Sequence, residues 1–214
     1  MGWSKTMILI GQFDSPFARR VGIALALYGL EYEHRPWSTF GDADKIAPFN
    51  PLRRVPTLVL DDGEVLIESA AILDYLDERV GPARAMMAES GVARRQALKT
   101  CALATGLADK AVSLVYERVL HRETSDVWIG RCQAQIGSVL DVLEADRNGR
   151  ASPYWFGASI GHADIAVACA LRFLREAHAA LFNDAKWPSL AAHGQRCEAL
   201  PAFHVVKQEF IPPK

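Results

Sequence analysis

Val55-Pro56-Thr57-Leu58-Val59-Leu60-Asp61-Asp62-Gly63-Glu64-Val65-Leu66-Ile67-Glu68-Ser69 decides the fold of this chain. Val55 to Leu60 is an apolar run of strand length, Asp61-Asp62-Gly63 is a tight hairpin turn, and Glu64 to Ile67 returns as the partner strand. From Ser69 to about Arg79 the period changes. Ile72, Leu73 and Leu76 then share one face, which predicts a helix. The unit reads ββα.

Upstream, Thr6 to Ile10 is a short continuous apolar run, as in a buried strand. Ser15 then stands as an N-cap with Pro16 at the first helical position. Phe17, Val21, Ile23, Ala24, Leu27 and Tyr28 supply a core face, and Gly29 closes the helix. Glu31 to Arg35 reads as a second strand. The polar stretch Pro36 to Pro51, with Gly41, Pro48 and Asn50-Pro51, reads as an irregular connection. The order is βαβ, then ββα.

At Gly81-Pro82 the pattern breaks, and downstream no strand-like alternation recurs. Helices are expected over about 90–122, 125–147, 162–180 and 188–198, interrupted most at Gly149 to Gly157. The chain is therefore expected to carry an α/β domain over residues 1–80, a linker over 81–89 and an all-helical domain over 90–214.

At 214 residues and 50% hydrophobic, the chain is long and apolar enough for two packed cores. A net charge of -1 gives no electrostatic footprint for nucleic acid. The pairs Arg19-Arg20, Arg53-Arg54 and Arg94-Arg95 read first as solvated surface. Cys101, Cys132, Cys169 and Cys197 form no C-x-x-C pair and have no zinc-ligand spacing. They read as small buried hydrophobes in a reducing compartment, with no metal implied. No apolar run reaches bilayer-spanning length and no signal peptide is recognisable, so a cytoplasmic protein is expected, with no membrane partner. Met1 to Thr6 matches a loose myristoylation pattern, read here as accidental.

Three short segments carry the chemistry. Ser15-Pro16-Phe17 is explained by capping alone. The same geometry also aims a hydroxyl and a helix dipole at an incoming group, which favours a thiolate over a thiol. Val55-Pro56 fits the start of an edge strand, or a cis peptide that turns the Val55 backbone towards a peptide ligand. Glu68-Ser69 is either a helix cap or an anion cradle, with Ser69 on a carboxylate and Glu68 on an ammonium.

Ser-Pro-Phe-Ala-Arg-Arg (15–20), Asn-Pro-Leu-Arg-Arg-Val-Pro-Thr-Leu (50–58) and Glu-Ser-Ala-Ala-Ile-Leu-Asp-Tyr-Leu (68–76) together resemble the glutathione-binding half of the cytosolic glutathione S-transferases. The resemblance is to a Ser-type, bacterial-like member and covers essentially the whole chain. It implies a thioredoxin-like domain (βαβ-ββα) followed by an all-helical one. It implies that Ser15 hydrogen-bonds the glutathione sulfur, that Val55 pairs through its backbone with the cysteinyl unit before a cis Pro56, and that Glu68 and Ser69 hold the γ-glutamyl end. Arg54, with Lys45 and Arg53, is the candidate for the glycyl carboxylate. Phe13, Phe17 and Tyr116 are candidates for an acceptor pocket.

A serine at residue 15 cannot become a disulfide partner, unlike the cysteine of other classes in the family. Conjugation of glutathione, as co-substrate, to a small hydrophobic electrophile is therefore the expected activity, and the resemblance implies a homodimer. The alternatives are a glutathione-binding or fold-only interaction or regulatory protein, and a glutathione-dependent peroxidase or isomerase. In the second domain, Tyr154 to Gly157 followed by Ala163-Asp164-Ile165-Ala166 resembles the family's buried helix-start motif. Here Gly161 replaces the usual Ser or Thr, leaving half a capping box. Asp164 is expected to be structural and His162 a surface or cap histidine. Asp109 is a candidate to reach a partner subunit's γ-glutamyl amine.

Overall fold

A computed structural model of the chain describes residues 6–213. The myristoylation pattern falls outside them except for Thr6. The chain divides into two compact units, one running to Met86 and taking back Pro201–Glu209, the other comprising Met87–Leu200 and the segment from Phe210 onward.

The first unit opens with β1 (Met7–Ile10), α1 (Pro16–Tyr28), β2 (Tyr32–Arg35), α2 (Ala43–Ile46), β3 (Thr57–Val59), β4 (Val65–Ile67) and α3 (Ser69–Val80). The sheet order is β2-β1-β3-β4. β2 lies parallel to β1, with Met7 opposite Tyr32 and Ile10 opposite Arg35. β3 runs antiparallel to β1 (Ile8 opposite Val59), and β4 antiparallel to β3 (Thr57 opposite Ile67). The expected βαβ-ββα order is present. β3 starts at Thr57, two residues later than the apolar run, because Pro56 has no N–H to give a central ladder.

Ser15 caps α1 by accepting the Ala18 N–H at 3.4 Å, and Gly29 ends it at φ 64°. The hairpin turn closes through Leu60 N–H to Glu64 O at 2.8 Å. The helix α2 was not legible in the sequence. Its one buried side chain, Ile46, joins Ile8, Ile10 and Val59 in the core, and a single apolar residue has no period.

The second unit holds α4 (Gly91–Leu120), α5 (Asp126–Asn148), α6 (His162–Ala177), a 3₁₀ turn (Ala179–Leu181) and α7 (Pro188–Glu198). Asp164 fills the capping half-box: it accepts the Gly161 N–H at 2.8 Å and, with its other oxygen, the Trp155 N–H at 2.7 Å. One carboxylate thus fixes both the start of α6 and the preceding loop. The expected helix over 162–180 stops at His178, whose Nε2 donates to Ala111 O at 2.8 Å and whose Nδ1 accepts from Arg118 Nη1 at 3.1 Å. Burial, then the Arg118 charge, lowers the His178 pKa and keeps the ring neutral to accept from Arg118, while the bond to Ala111 O acts in the opposite sense. All four cysteines are buried and reduced.

A last helix, α8 (Pro201–Val205), belongs to the first unit. Its place follows from Arg19, which donates from Nε to Val206 O at 2.9 Å and from Nη2 to Phe203 O at 3.2 Å. The Arg19-Arg20 pair is therefore not the solvated surface that its charge suggested: both residues are buried. His162 is also buried, where a surface or cap histidine was expected. Among the described residues no helix is long and apolar enough to cross a membrane, and no group of acidic, His and Cys side chains is set to hold a metal.

Candidate functional site

Three contacts within the first unit join the three segments singled out in the sequence. The first is at Gly11, directly after β1, where φ is 137° and a Cβ would stand 2.8 Å from Val55 Cβ and 3.0 Å from Ala18 Cβ. Only glycine permits that approach of the β1 end to Val55 and the first turn of α1. The second is the Arg54 guanidinium, 3.6 Å from the Glu68 carboxylate. The third is Arg20 Nη1, which donates to Ser69 Oγ at 3.4 Å in a buried setting. Ser15, Val55 and Ser69 thus sit on backbone segments that are tied pairwise.

Each segment is held in a defined shape. The Val55-Pro56 bond is cis. The loop leading to it is organised by Asn50, which is fully buried. Its Nδ2 donates to Arg54 O at 2.9 Å and to Thr57 Oγ1 at 3.3 Å, while its Oδ1 accepts the Leu52 N–H at 3.0 Å. Arg53 turns this loop at φ 52°, and its side chain pairs with Asp44 at 3.1 Å. Glu68, the residue before α3, has φ 67° and ψ 122°. A side-chain-bearing residue there costs on the order of 1–3 kcal/mol, and such outliers gather at functional sites. The strain presents the exposed Glu68 side chain beside the buried Ser69 at the N-terminus of a twelve-residue helix.

The loop carrying Ser15 is anchored as well. Phe13 is buried, its ring stacked on His34 at 3.9 Å between centroids and 12° between planes. His34 Nε2 donates to Gly11 O at 2.8 Å. The Phe13 N–H goes to Gln208 Oε1 at 3.0 Å. Phe17 is half-buried, and in the second unit Tyr116 is 39% exposed on α4. Lys45 is engaged by Asp42 at 2.6 Å and Arg54 by Glu68. Asp109 pairs with Lys110 at 2.9 Å.

Sequence reasoning did not find Gly11, Arg20, His34, Asn50 or Gln208. Arg20 carried a signal: three residues after Phe17 and four before Ala24, it falls on the apolar face of α1, where a charge needs a buried partner. Gln208 carried none, because 195 positions separate it from Phe13.

The description "Glutathione S-transferase, N-terminal domain" matches residues 14–79, and "Glutathione S-transferase, C-terminal domain" matches residues 126–196. Among similar proteins, the "Uncharacterized GST-like protein YibF" of Escherichia coli (strain K12) is 31% identical over 78% of this chain and 82% of its own length. Maleylacetoacetate isomerase of Pseudomonas aeruginosa is 30% identical over 92% of this chain and 93% of its own. In structure, a glutathione S-transferase of Methylobacterium radiotolerans, complexed with glutathione sulfonate, superposes with a TM-score of 0.89 at 27% identity and covers 97% of both chains. A glutathione transferase family member of Pseudomonas fluorescens with bound glutathione gives 0.83 at 30% identity, covering 98% of this chain and all of its own. A thioredoxin-like sheet domain with an attached helical domain, matched over nearly its full length, defines a cytosolic glutathione S-transferase fold. The chain belongs to the glutathione S-transferase family.

Proposed function

We propose that this protein is a glutathione transferase that joins the glutathione thiolate to small hydrophobic electrophiles. The observation carrying the reading is the pairwise tying of three ligand-capable segments: Gly11 against Val55, Arg54 beside Glu68, and Arg20 on Ser69. Ser15 donates its hydroxyl proton to the glutathione sulfur at the positive end of α1, stabilising thiolate over thiol. Val55 pairs with the cysteinyl backbone ahead of Pro56. Glu68 receives the γ-glutamyl ammonium, the Ser69 N–H and hydroxyl take its carboxylate, and Arg54 turns to the glycyl carboxylate. Arg54 is 55% exposed at its side chain, so its pairing with Glu68 is weak and exchangeable.

In conjugation the thiol proton leaves to water, the sulfur lone pair forms a bond to the electrophilic carbon, and the leaving group departs with its electron pair. Phe17 is the proposed acceptor-side residue of the first unit, while the Phe13 ring serves mainly the loop through its stack on His34. A homodimer is the proposed assembly, to be read from sedimentation equilibrium. The deciding assay is conjugation of glutathione to a chlorinated nitrobenzene by the wild type and by Ser15→Ala. Undiminished turnover of the variant would remove Ser15 from the mechanism. Binding of glutathione without turnover would point instead to an interaction protein.

The similarity to maleylacetoacetate isomerase over 92% of the chain favours one second reading. There the same thiolate adds to a conjugated acid, the carbon–carbon bond rotates, and the sulfur leaves again, so glutathione is regenerated. Isomerisation of maleylacetoacetate with no net loss of glutathione would select it.

A further inference from the structure

We infer that Gln208, near the far end of the chain, is a positioning residue for Ser15 and tunes the acidity of the bound thiol. The inference rests on the proposed role of Ser15 in holding the glutathione sulfur.

The loop from Gly11 to Ser15 is held by the Phe13–His34 ring stack, by the His34 bond to Gly11 O and by hydrogen bonds of its own backbone. Gly11 N–H donates to Arg35 O at 2.9 Å and Ser15 N–H to Gln12 O at 3.2 Å. The Phe13 N–H, between them, is taken by Gln208 Oε1 at 3.0 Å. A half-buried backbone donor needs an acceptor, and here a side chain supplies it. Gln208 is itself held in place because the segment before it is locked to α1. Arg19, 2% exposed, bonds Val206 O and Phe203 O and lies 5.4 Å from the Phe203 ring centroid. Gly22 reinforces the lock: a Cβ there would stand 2.7 Å from the Phe13 ring and 2.8 Å from Val206 Cγ1, so α1, the loop and the returning segment meet at one point. Phe13 is two residues before Ser15. A shift of its amide moves the serine hydroxyl relative to the helix axis, and hydrogen bonds to a thiolate weaken steeply with angle.

The experiment compares wild type, Gln208→Ala and Gln208→Glu. The glutamate keeps an acceptor oxygen at the same reach. Thiolate absorbance of bound glutathione is titrated against pH, kcat and KM are measured with a chlorinated nitrobenzene, and amide exchange is followed over residues 11–15. For Gln208→Ala we expect the thiol midpoint to rise by about 0.5–1 unit and kcat/KM below that midpoint to fall ~3–10-fold, since each unit is a tenfold change in thiolate. KM for glutathione should stay within about twofold and loop exchange should accelerate; Gln208→Glu, whose added negative charge itself disfavours the thiolate, is read by exchange and should restore the wild-type exchange rate. An unchanged midpoint in Gln208→Ala, even with faster exchange, would overturn the inference, as would equally accelerated loop exchange in the glutamate variant. If the wild type itself forms no bound thiolate, the proposed function fails instead. The exchange comparison then decides alone: acceleration in Gln208→Ala but not in Gln208→Glu sustains Gln208 as the anchor of this loop, and equal rates overturn it.

Discussion

Arg20 Nη1 donates to Ser69 Oγ at 3.4 Å across the buried face between α1 and α3, so the helix that begins at Ser15 also holds the serine proposed for the other end of glutathione. One hydrogen bond from a charged donor is worth about 1.5–3 kcal/mol in a buried site. Replacing it with an apolar side chain of similar length leaves Ser69 free to rotate. Arg20→Met is expected to raise the dissociation constant for glutathione by ~3–10-fold while the pKa of the bound thiol stays at its wild-type value, because Ser15 is untouched. Calorimetric titration with glutathione and a thiolate pH titration check the two halves.

Ser15 acts twice, as cap and as proposed donor. Ser15→Ala should lose about 1 kcal/mol of stability from the Ala18 cap bond, read in a denaturant midpoint. It should also raise the bound thiol pKa by about 1–2 units, cutting kcat/KM ~10–100-fold near neutral pH. Ser15→Thr retains the hydroxyl and should recover the stability and part of the activity.

Arg54 and Glu68 stand 3.6 Å apart with more than half of each side chain exposed. An exposed pair contributes about 0–1 kcal/mol, so neither Arg54→Ala nor Glu68→Gln should shift the unfolding midpoint appreciably. Both should weaken glutathione binding ~3–30-fold, since each removes a charge opposite a ligand charge. A loss of stability comparable to that of Ser15→Ala would show the pair to be structural instead.

The interior of the helical unit carries an acid-sensitive histidine. His193, on α7, is fully buried, its Nε2 3.6 Å from Asp164 Oδ1 and 3.5 Å from Cys197 Sγ, its ring edge-on to Trp155. Burial, then the positive charges of Arg147 and Arg196, push its pKa down to about 4. The folded pKa lies below the unfolded value of 6.5, so the stability it contributes is full above pH 6.5 and is lost as pH falls towards 4. The size is on the order of 3 kcal/mol. Burial raises the Asp164 carboxyl, which acts in the opposite sense on acidification. The comparison of urea midpoints for wild type and His193→Gln from pH 7 to 4.5 isolates the histidine: the wild type should lose more stability than the variant over that range.

Asp164 itself accepts two buried backbone N–H groups, from Trp155 and Gly161. Asp164→Ala strands both donors and should destabilise the protein by about 2–5 kcal/mol, with glutathione affinity of the remaining folded fraction unchanged. Thermal unfolding and calorimetry on the same sample check this.

Periodicity made the four strands, the main helices and the change of pattern near Gly81 readable, because local spacing alone encodes them. Ser15 with Pro16 announced its cap for the same reason. Asp164 was legible as a half-box, although the second bond to Trp155 was not. Arg19 and Arg20 misled: a charge pair reads as surface unless the partner is known, and the partners, Phe203 O, Val206 O and Ser69 Oγ, lie 49 or more positions away. His162 misled likewise, because burial depends on neighbours far along the chain.

The candidate site divides in the same manner. Ser15, Val55, Pro56, Glu68 and Ser69 are each written in a local motif, so their presence and order could be read directly. Their convergence could not. It depends on Gly11 having no Cβ where Val55 crosses it, on Asn50 folding the loop before Pro56, and on Gln208 arriving from the other end of the chain to hold Phe13. Contacts between residues so distant in sequence leave no spacing to read. They exist only once the folded backbone has brought a donor and an acceptor within about 3 Å of each other.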